Sequence, residues 1–262
     1  MPGIAEMKEP ENIGYKPEDL TYQFAGLNHF HWHKVTNHKG EDVTHQILKH
    51  INEKNGGTPV NIYQAPFPTE LLDTMGLIPC GYHRYYYLQD EMLEHSLHEF
   101  SEGGTRAEQM YQVEKELFDL YSQPGLHKKP ELLSKRGGAY YSDAACECIS
   151  AIYNNKQLRM TVSTQNNGAI SFLPSDCIVE VTSLISAKGA EPLAWGTMPP
   201  AQRGWLQMMK AMEECVIEAA ITGDYGIALE AFTLNPLVQS GRNGKRGFGR
   251  IACSPRKISS SI

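Results

Sequence analysis

The order of the regular segments limits the folds open to this chain more than any other feature. A β-rich stretch over 20–35 comes first, followed by a helical pattern over 42–53 and a short helix near 69–75. Beyond two longer helices, segments 160–164 and 177–186 have the β-branched content of strands. Because no strand–helix–strand unit repeats, this order predicts an α+β domain.

Three helices carry clear boundary signals. Thr105 and Glu108 have the spacing of a capping box, and a second helix is expected from about Ser142. The third occupies 201–222 and is expected to end at Gly223. Apolar residues at helical spacing predict a core-facing stripe along this last helix. The stripe residues are Trp205, Met208, Met212, Val216 and Ala220.

Charge and composition exclude several classes of function. The net charge of −6 leaves no basic surface of the kind that binds nucleic acid or an anionic membrane. No apolar run has the length of a membrane span, and the first residues lack the apolar core of a secretory signal. The six cysteines are scattered without a C-x-x-C pair. These features favour a cytoplasmic protein with reduced thiols.

The most suggestive cluster of titratable residues is GLNHFHWH at 26–33. If this segment is a single strand, His29, His31 and His33 project to one face. Three neutral imidazoles on one face suit a divalent metal such as zinc, whereas the competing interpretation is a polar strand face. Asn28 adds an amide that could bind a hydroxyl group.

Two tyrosine-rich segments are the next candidates. In RGGAYYSDAA (136–145), Tyr140 and Tyr141 follow two glycines at the start of a helix. A tyrosine near a metal can act as a base, although most tyrosines in such places only pack with a solvated hydroxyl. In GYHRYYY (81–87), Arg84 could bind phosphate or carboxylate, or it could stack on an aromatic ring.

The composition changes abruptly after residue 239. Segment 240–262 has six Arg or Lys residues and no Asp or Glu. Two interpretations stay open: a basic disordered tail, or a stretch translated out of frame. Sequencing the gene separates them, because a single-base shift that restores an acidic amphipathic helix would support the second. We therefore expect one domain over 1–239 and an aberrant tail over 240–262.

Six motifs in this order resemble glycoside hydrolase family 4, and most of all its bacterial 6-phospho-β-glucosidases. The motifs are GLNHF, IPCGYHRYYY, GTRAE, RGGAYYSDAA, NNGAI and EAAITGDYGIALEAFTLNPLV. The resemblance covers 1–239 and implies an α+β fold like the C-terminal domain of lactate dehydrogenase and of this family, with helices on a mainly antiparallel sheet. The family is NAD-dependent and does not use the usual carboxylate pair, and none is obvious here.

The resemblance also implies a reaction and a set of residues. 6-Phospho-β-glucosides such as cellobiose 6-phosphate would be hydrolysed to glucose 6-phosphate by redox elimination that needs NAD and a divalent metal, usually Mn. By position in the motifs, His29 matches the metal histidine and Tyr141 the tyrosine base that removes the C2 proton. Asn28 and Arg84 are expected to be substrate contacts, although the resemblance supports them less than it supports His29 and Tyr141. His31 and His33 match no family ligand.

The chain also departs from the family pattern. Members begin with a nucleotide-binding Rossmann domain and a Cys-Asn segment whose Cys is the second metal ligand, and that Cys would stand just before Met1. The resemblance therefore implies an interrupted gene or a misassigned start, and a chain that is inactive alone. The alternatives are a non-enzymatic remnant, or a module that binds metal or self-associates. The full-length form is expected to be a homo-oligomer that binds a phosphorylated disaccharide.

Overall fold

The computed structural model describes residues 15–54, 63, 65–102, 104–136, 141–238 and 240–252. The strands are β1 Leu20–Leu27, β2 Phe30–Asn37, β3 Ile78–Pro79, β4 Leu158–Gln165, β5 Ile178–Ser186 and β6 Gly189–Pro192. The helices are α1 Thr44–Lys54, α2 Thr69–Met75, α3 Arg84–Tyr87, α4 Gln89–Glu102, α5 Arg106–Tyr121, α6 Leu133–Arg136, α7 Tyr141–Tyr153, α8 Pro200–Thr222, α9 Tyr225–Leu234 and α10 Gly241–Ala252.

The strands form one sheet of six strands in the order β3-β2-β1-β5-β4, with β6 paired to β5. Each pairing in it is antiparallel. Strands β1 and β5, far apart in the chain, are neighbours through the pairs Ala25–Val181 and Gly26–Glu180. The expected α+β fold with helices on a mainly antiparallel sheet is confirmed.

The first β-rich stretch differs from the prediction of one continuous strand. It is a hairpin in which β1 and β2 pair along their whole length and Leu27 faces Phe30. Asn28 and His29 form the turn between them. The sequence hides this turn because β-favouring residues stand on both sides and the Asn-Gly pair typical of such turns is missing.

Two clusters of buried apolar side chains attach helices to the two ends of the sheet. Helices α1, α2 and α4 cover the β1–β2 end through a cluster of buried apolar side chains. This cluster consists of Leu20, Val35, Val43, Ile47, Leu48, Ala65, Phe67, Leu72, Ile78, Leu88 and Met92. A smaller cluster of Ala151 from α7, Met160 from β4 and Ile185 from β5 fixes α7 against the other end of the sheet. Burial of these side chains supplies the main driving force for the packing.

The predicted helix boundaries agree closely with the structure. Thr105 accepts a hydrogen bond from the Glu108 backbone N–H while the Glu108 side chain accepts one from the Thr105 backbone, which completes the predicted capping box of α5. Helix α7 begins at Tyr141, next to the predicted Ser142. Helix α8 ends at Gly223 in the left-handed conformation, as expected for a glycine C-cap.

The predicted core-facing stripe of α8 is wrong. The buried residues of this helix are Gln202, Leu206, Met209 and Lys210, whereas Val216 is 52% exposed. Leu206 and Met209 lie about one position from Trp205 and Met208, which is a rotation of about 100° around the helix axis. The other two buried residues, Gln202 and Lys210, are polar, so apolar periodicity alone did not identify this face.

Residues 1–196 and 197–262 form two compact units. The first holds the sheet and helices α1 to α7. In the second, α9 packs against both α8 and α10. A Cβ atom added at Gly244 would lie 2.8 Å from Thr233 Oγ1, so α10 approaches α9 closely there. Within the described residues, no helix is both long and apolar enough to cross a membrane.

The segment after residue 239 contains the helix Gly241–Ala252, and the expected disordered tail stays a prediction. Residues 253–262 lie outside the described residues. The alternative that the segment is translated out of frame remains a prediction about the gene.

Candidate active site at the β1–β2 turn

The turn between β1 and β2 presents Asn28 and His29 to solvent. His29 has a positive φ of 60°, a backbone conformation that is uncommon outside glycine, although asparagine, aspartate and histidine adopt it more often than other residues. Such a conformation persists only where the surrounding structure enforces it, and it is found often at binding sites. The backbone of the turn therefore indicates a candidate binding site at His29.

Residues from the IPCGYHRYYY motif hold His29 from the side. The rings of Tyr82 and His29 are stacked, with centroids 4.3 Å apart and planes 9° apart. The Cys80 thiol lies 3.6 Å from the His29 carbonyl oxygen and donates to it, and the Cys80 backbone N–H donates to the His31 carbonyl at 3.0 Å. Two motifs that are far apart in the sequence thus form one structural unit around the turn.

The electrostatic surroundings favour a neutral imidazole at His29. Partial burial lowers its pKa below the usual range, and His31 acts in the same direction, while the nearby Glu180 carboxylate opposes the shift. Neutral imidazole is the form that binds a divalent metal. His29, with the exposed Asn28 amide beside it, fits one member of a metal-binding donor set.

The prediction that three histidines share one strand face is wrong for His29, because that residue lies in the turn. His31 and His33 do share a face, but they are 0% and 3% exposed. Burial lowers the pKa of His33 well below its usual range, and His31 and His83 add to the shift. Among the described residues, no group of three metal-ligating side chains could hold an ion, so the metal-module alternative loses its structural basis there.

His31 forms a buried pair with Glu180 on β5. Its Nδ1 lies 3.1 Å from Glu180 Oε2. Burial alone would raise the pKa of Glu180, but the hydrogen bond and charge of His31 lower it below the usual range, so this carboxylate is ionised. The sequence does not indicate Glu180 as a site residue, because it lies 149 positions from its partner. No short-range signal could have connected the two.

Arg84 is buried at the start of α3 and 6% exposed. Its Nε donates to the Ala65 carbonyl at 2.8 Å, its Nη1 donates to the Gly81 carbonyl at 3.4 Å, and its Cζ lies 5.0 Å from the Phe67 ring centre. The aromatic stacking considered from the sequence is therefore present. A substrate contact by Arg84 stays a prediction.

Tyr141 is the first residue of α7 and is 64% exposed. Within the described residues, its side chain has no hydrogen bond or ring contact. Among the described residues, the position of the Tyr141 side chain is set by the backbone of α7, which packs against β4 and β5. Tyr140, the other tyrosine of the motif, lies outside the described residues.

The NNGAI motif forms a turn that follows β4. The Asn166 side chain is fully buried and lies within 3.1 Å of three backbone carbonyl oxygens while accepting a bond from the Ile170 N–H. Asn167 and Gly168 follow in left-handed conformations with φ of 46° and 84°. Asn166 therefore organises a loop that presents Asn167 to solvent, a role that the motif letters alone did not indicate.

The family 4 glycosyl hydrolase C-terminal domain matches residues 24–238 of the chain. The chain belongs to glycosyl hydrolase family 4. It is 48% identical over 219 residues to a Bacillus subtilis (strain 168) protein named "Probable 6-phospho-beta-glucosidase", covering 83% of this chain and 50% of that protein. It is 37% identical over 231 residues to the 6-phospho-beta-glucosidase of Escherichia coli (strain K12), covering 87% of this chain and 51% of that protein.

A solved structure of this family has the same fold. The 6-phospho-beta glucosidase from Thermotoga maritima with manganese, NAD+ and glucose-6-phosphate is 28% identical, with a TM-score of 0.71, and the match covers 91% of this chain and 57% of that one. The chain thus spans about half the length of the family members that it matches. The expected family is confirmed, and the site residues assigned by resemblance remain predictions.

Proposed function

We propose that this chain carries one half of the active site of a 6-phospho-β-glucosidase, which converts 6-phospho-β-glucosides such as cellobiose 6-phosphate to glucose 6-phosphate. The supporting observation is the constrained turn with a neutral, accessible His29, in a chain 48% identical to a protein named for this activity. In this proposal the reaction is a redox elimination that requires NAD and a divalent metal such as Mn.

Each assigned residue has a separate chemical task. His29 would bind the metal through its imidazole, and the metal supplies Lewis-acid stabilisation of oxygens on the sugar. The Asn28 amide would hydrogen-bond a sugar hydroxyl, and Arg84 would contact the substrate. The Tyr141 side chain, exposed at the start of α7, would act as the base that takes the proton from C2.

The described residues do not fit the dinucleotide. Their sheet is antiparallel, and the glycine-rich GRNGKRGFG segment lies in α10 without the strand that a dinucleotide fingerprint requires. No step through NAD is assigned to these residues. We therefore expect the 262-residue chain to be inactive when tested alone.

A chimera tests this proposal. The half of the Bacillus subtilis relative that the chain does not match would be joined in front of this chain, and release of glucose 6-phosphate from cellobiose 6-phosphate would be measured with and without NAD and Mn²⁺. We expect activity that requires both additions. Loss of a catalytic base or metal ligand should cost at least about 100-fold in kcat/KM for Tyr141→Phe and for His29→Ala.

Matched controls define the outcome. His38→Ala removes another exposed histidine close to the same hairpin, and Tyr153→Phe alters an 87% exposed tyrosine at the other end of α7; both should keep activity. A folded but inactive chimera would favour the non-enzymatic remnant. Activity of the chain alone would overturn the assignment of NAD binding to residues outside it.

Assembly and location belong to the same proposal. We expect a cytoplasmic homo-oligomer whose small-molecule partner is a phosphorylated disaccharide, without nucleic acid or membrane partners. Light scattering of the purified chimera measures the oligomeric state. Cell fractionation measures the location, and recovery of the protein with membranes would contradict it.

A further inference from the structure

Three residues on neighbouring strands form one row across the sheet next to the His29 turn. Gly26 on β1 pairs with His31 on β2 and with Glu180 on β5. Residues directly opposite each other on neighbouring strands point to the same face of a sheet. His31 and Glu180 therefore meet above Gly26, at the 3.1 Å distance between Nδ1 and Oε2.

Gly26 leaves the space that this contact needs. A Cβ atom at this position would lie 2.4 Å from the Phe30 carbonyl oxygen and 2.7 Å from the His31 Cβ. Any side chain here would displace the first residues of β2. The glycine is thus a steric requirement of the pair.

The pair is located where it can fix the turn. Strands β1 and β5 form only two ladder pairs within the described residues, and beyond them the Phe24 N–H donates to the Thr182 hydroxyl at 2.9 Å. The His31–Glu180 hydrogen bond therefore connects β2, the strand that follows the turn, directly to β5, which lies on the other side of β1. His31 is two residues after His29, and Cys80 binds the backbone of both.

Stability does not explain such a pair. Both side chains are almost fully buried, and His31 Nε2 has no hydrogen-bond partner in the described part of the chain. A buried polar pair that contains a charged group often stabilises a protein no better than apolar side chains of the same volume would. A positional role is the more economical explanation.

We propose that Glu180 and His31 are positioning residues, which hold the β1–β2 turn so that the His29 ring stays stacked on Tyr82 and faces a ligand. The position of the ring is a property of this chain alone. Only the identity of the ligand as a divalent metal rests on the proposed function.

Histidine-ring NMR of the full 262-residue chain tests the positioning role without any ligand. We expect the contact between the His29 and Tyr82 rings to be visible as a nuclear Overhauser effect and to be lost in Glu180→Gln and His31→Phe. His31→Asn keeps an N–H donor near the position of Nδ1 and should retain it. Glu191→Gln alters an exposed carboxylate on β6 of the same sheet and serves as the control.

Two results would overturn the positioning role. One is an unchanged ring contact in both Glu180→Gln and His31→Phe. The other is loss of the contact in Glu191→Gln as well, since the effect would then be unspecific. If His31→Phe does not fold, the ring contact in Glu180→Gln is compared with that in Glu191→Gln. This comparison still tests the positioning role, because each substitution replaces only one carboxylate oxygen with an amide nitrogen.

Added Mn²⁺ tests the proposed function separately. We expect Mn²⁺ to broaden the His29 ring signals before those of the exposed His38, His45 and His98. Glu180→Gln should then require about tenfold more Mn²⁺, a typical effect of losing an outer-shell partner. Equal broadening of all four histidines in the unaltered chain would contradict metal binding at His29. The positioning role of His31 and Glu180 would then be tested by the ring contact alone.

Discussion

The β1–β2 turn and the first turn of α7 carry the two assigned chemical roles, but the chain holds them in different ways. His29 is fixed by a hairpin, by a stacked ring and by two hydrogen bonds from Cys80 to the neighbouring backbone. Tyr141 is 64% exposed, and in the described residues its side chain has neither a hydrogen bond nor a ring contact. The difference indicates that the described residues hold the His29 ring in place, whereas among them only the helix backbone positions Tyr141.

A fixed side-chain position matters differently for a metal ligand, the role proposed for His29, and for a general base, the role proposed for Tyr141. A metal ligand must keep a fixed direction because the coordination geometry leaves little tolerance. A general base has to reach its proton within hydrogen-bond distance, and this distance is often established only when the substrate is bound. Changes around the turn should therefore alter the fold and the ligand geometry together, while changes at Tyr141 should alter chemistry alone.

The largest effect is expected at Gly26. Gly26→Ala places a Cβ 2.4 Å from the Phe30 carbonyl oxygen, so the start of β2 must shift. Overpacking of this kind should lower the free energy of unfolding by about 3 kcal/mol, measured by urea denaturation. The control is Gly125→Ala, where the new Cβ meets no atom within 4 Å and the change should stay within about 0.5 kcal/mol. Equal stability of the two variants would show that the row at Gly26 is not tightly packed.

A smaller effect concerns the buried histidines beneath the turn. Burial holds the pKa of His33 and of His83 well below the unfolded value of about 6.5, so the unfolded chain binds protons more readily. Their contribution to stability is therefore fully present above that pH and is lost as the pH falls through it. The free energy of unfolding should decrease with acidification below about pH 6.5.

Replacing one of these histidines identifies the source of that pH dependence. His33→Phe keeps the aromatic stacking on Phe24, whose ring lies 4.6 Å away, and should flatten the dependence without abolishing it, because His83 remains. His127→Gln, at an exposed position, should leave the dependence unchanged. If the free energy of unfolding of His33→Phe decreases with acidification as much as that of the unaltered chain, His33 is not a source of the pH dependence.

Local signals in the sequence were sufficient for much of the fold. The Thr105–Glu108 capping box and the Gly223 cap act over a few residues, and both were found because their physics is local. The motifs also predict His29 as a functional residue. They did not show that His29 occupies a turn, because the turn interrupts a continuous β pattern.

The pairing of strands that are far apart in the chain could not be predicted from the sequence. The neighbour relation of β1 and β5 brings Glu180 to His31, and it depends on the arrangement of the whole sheet. The contact between Tyr82 and His29 has the same origin, since β3 must first pair with β2. Alternation and spacing describe which face a residue occupies, but not which distant strand lies beside it.

The smallest effect on stability is expected at Tyr141. Tyr141→Phe removes a hydroxyl that is bonded to no described residue, so the free energy of unfolding should change by less than about 0.5 kcal/mol in urea denaturation. The same substitution should abolish most of the activity of the chimera, because a phenylalanine cannot accept a proton. Tyr153→Phe on the same helix should change neither quantity. A loss of stability above about 1 kcal/mol for Tyr141→Phe would mean that the hydroxyl supports the fold, and the contrast with the His29 turn would then disappear.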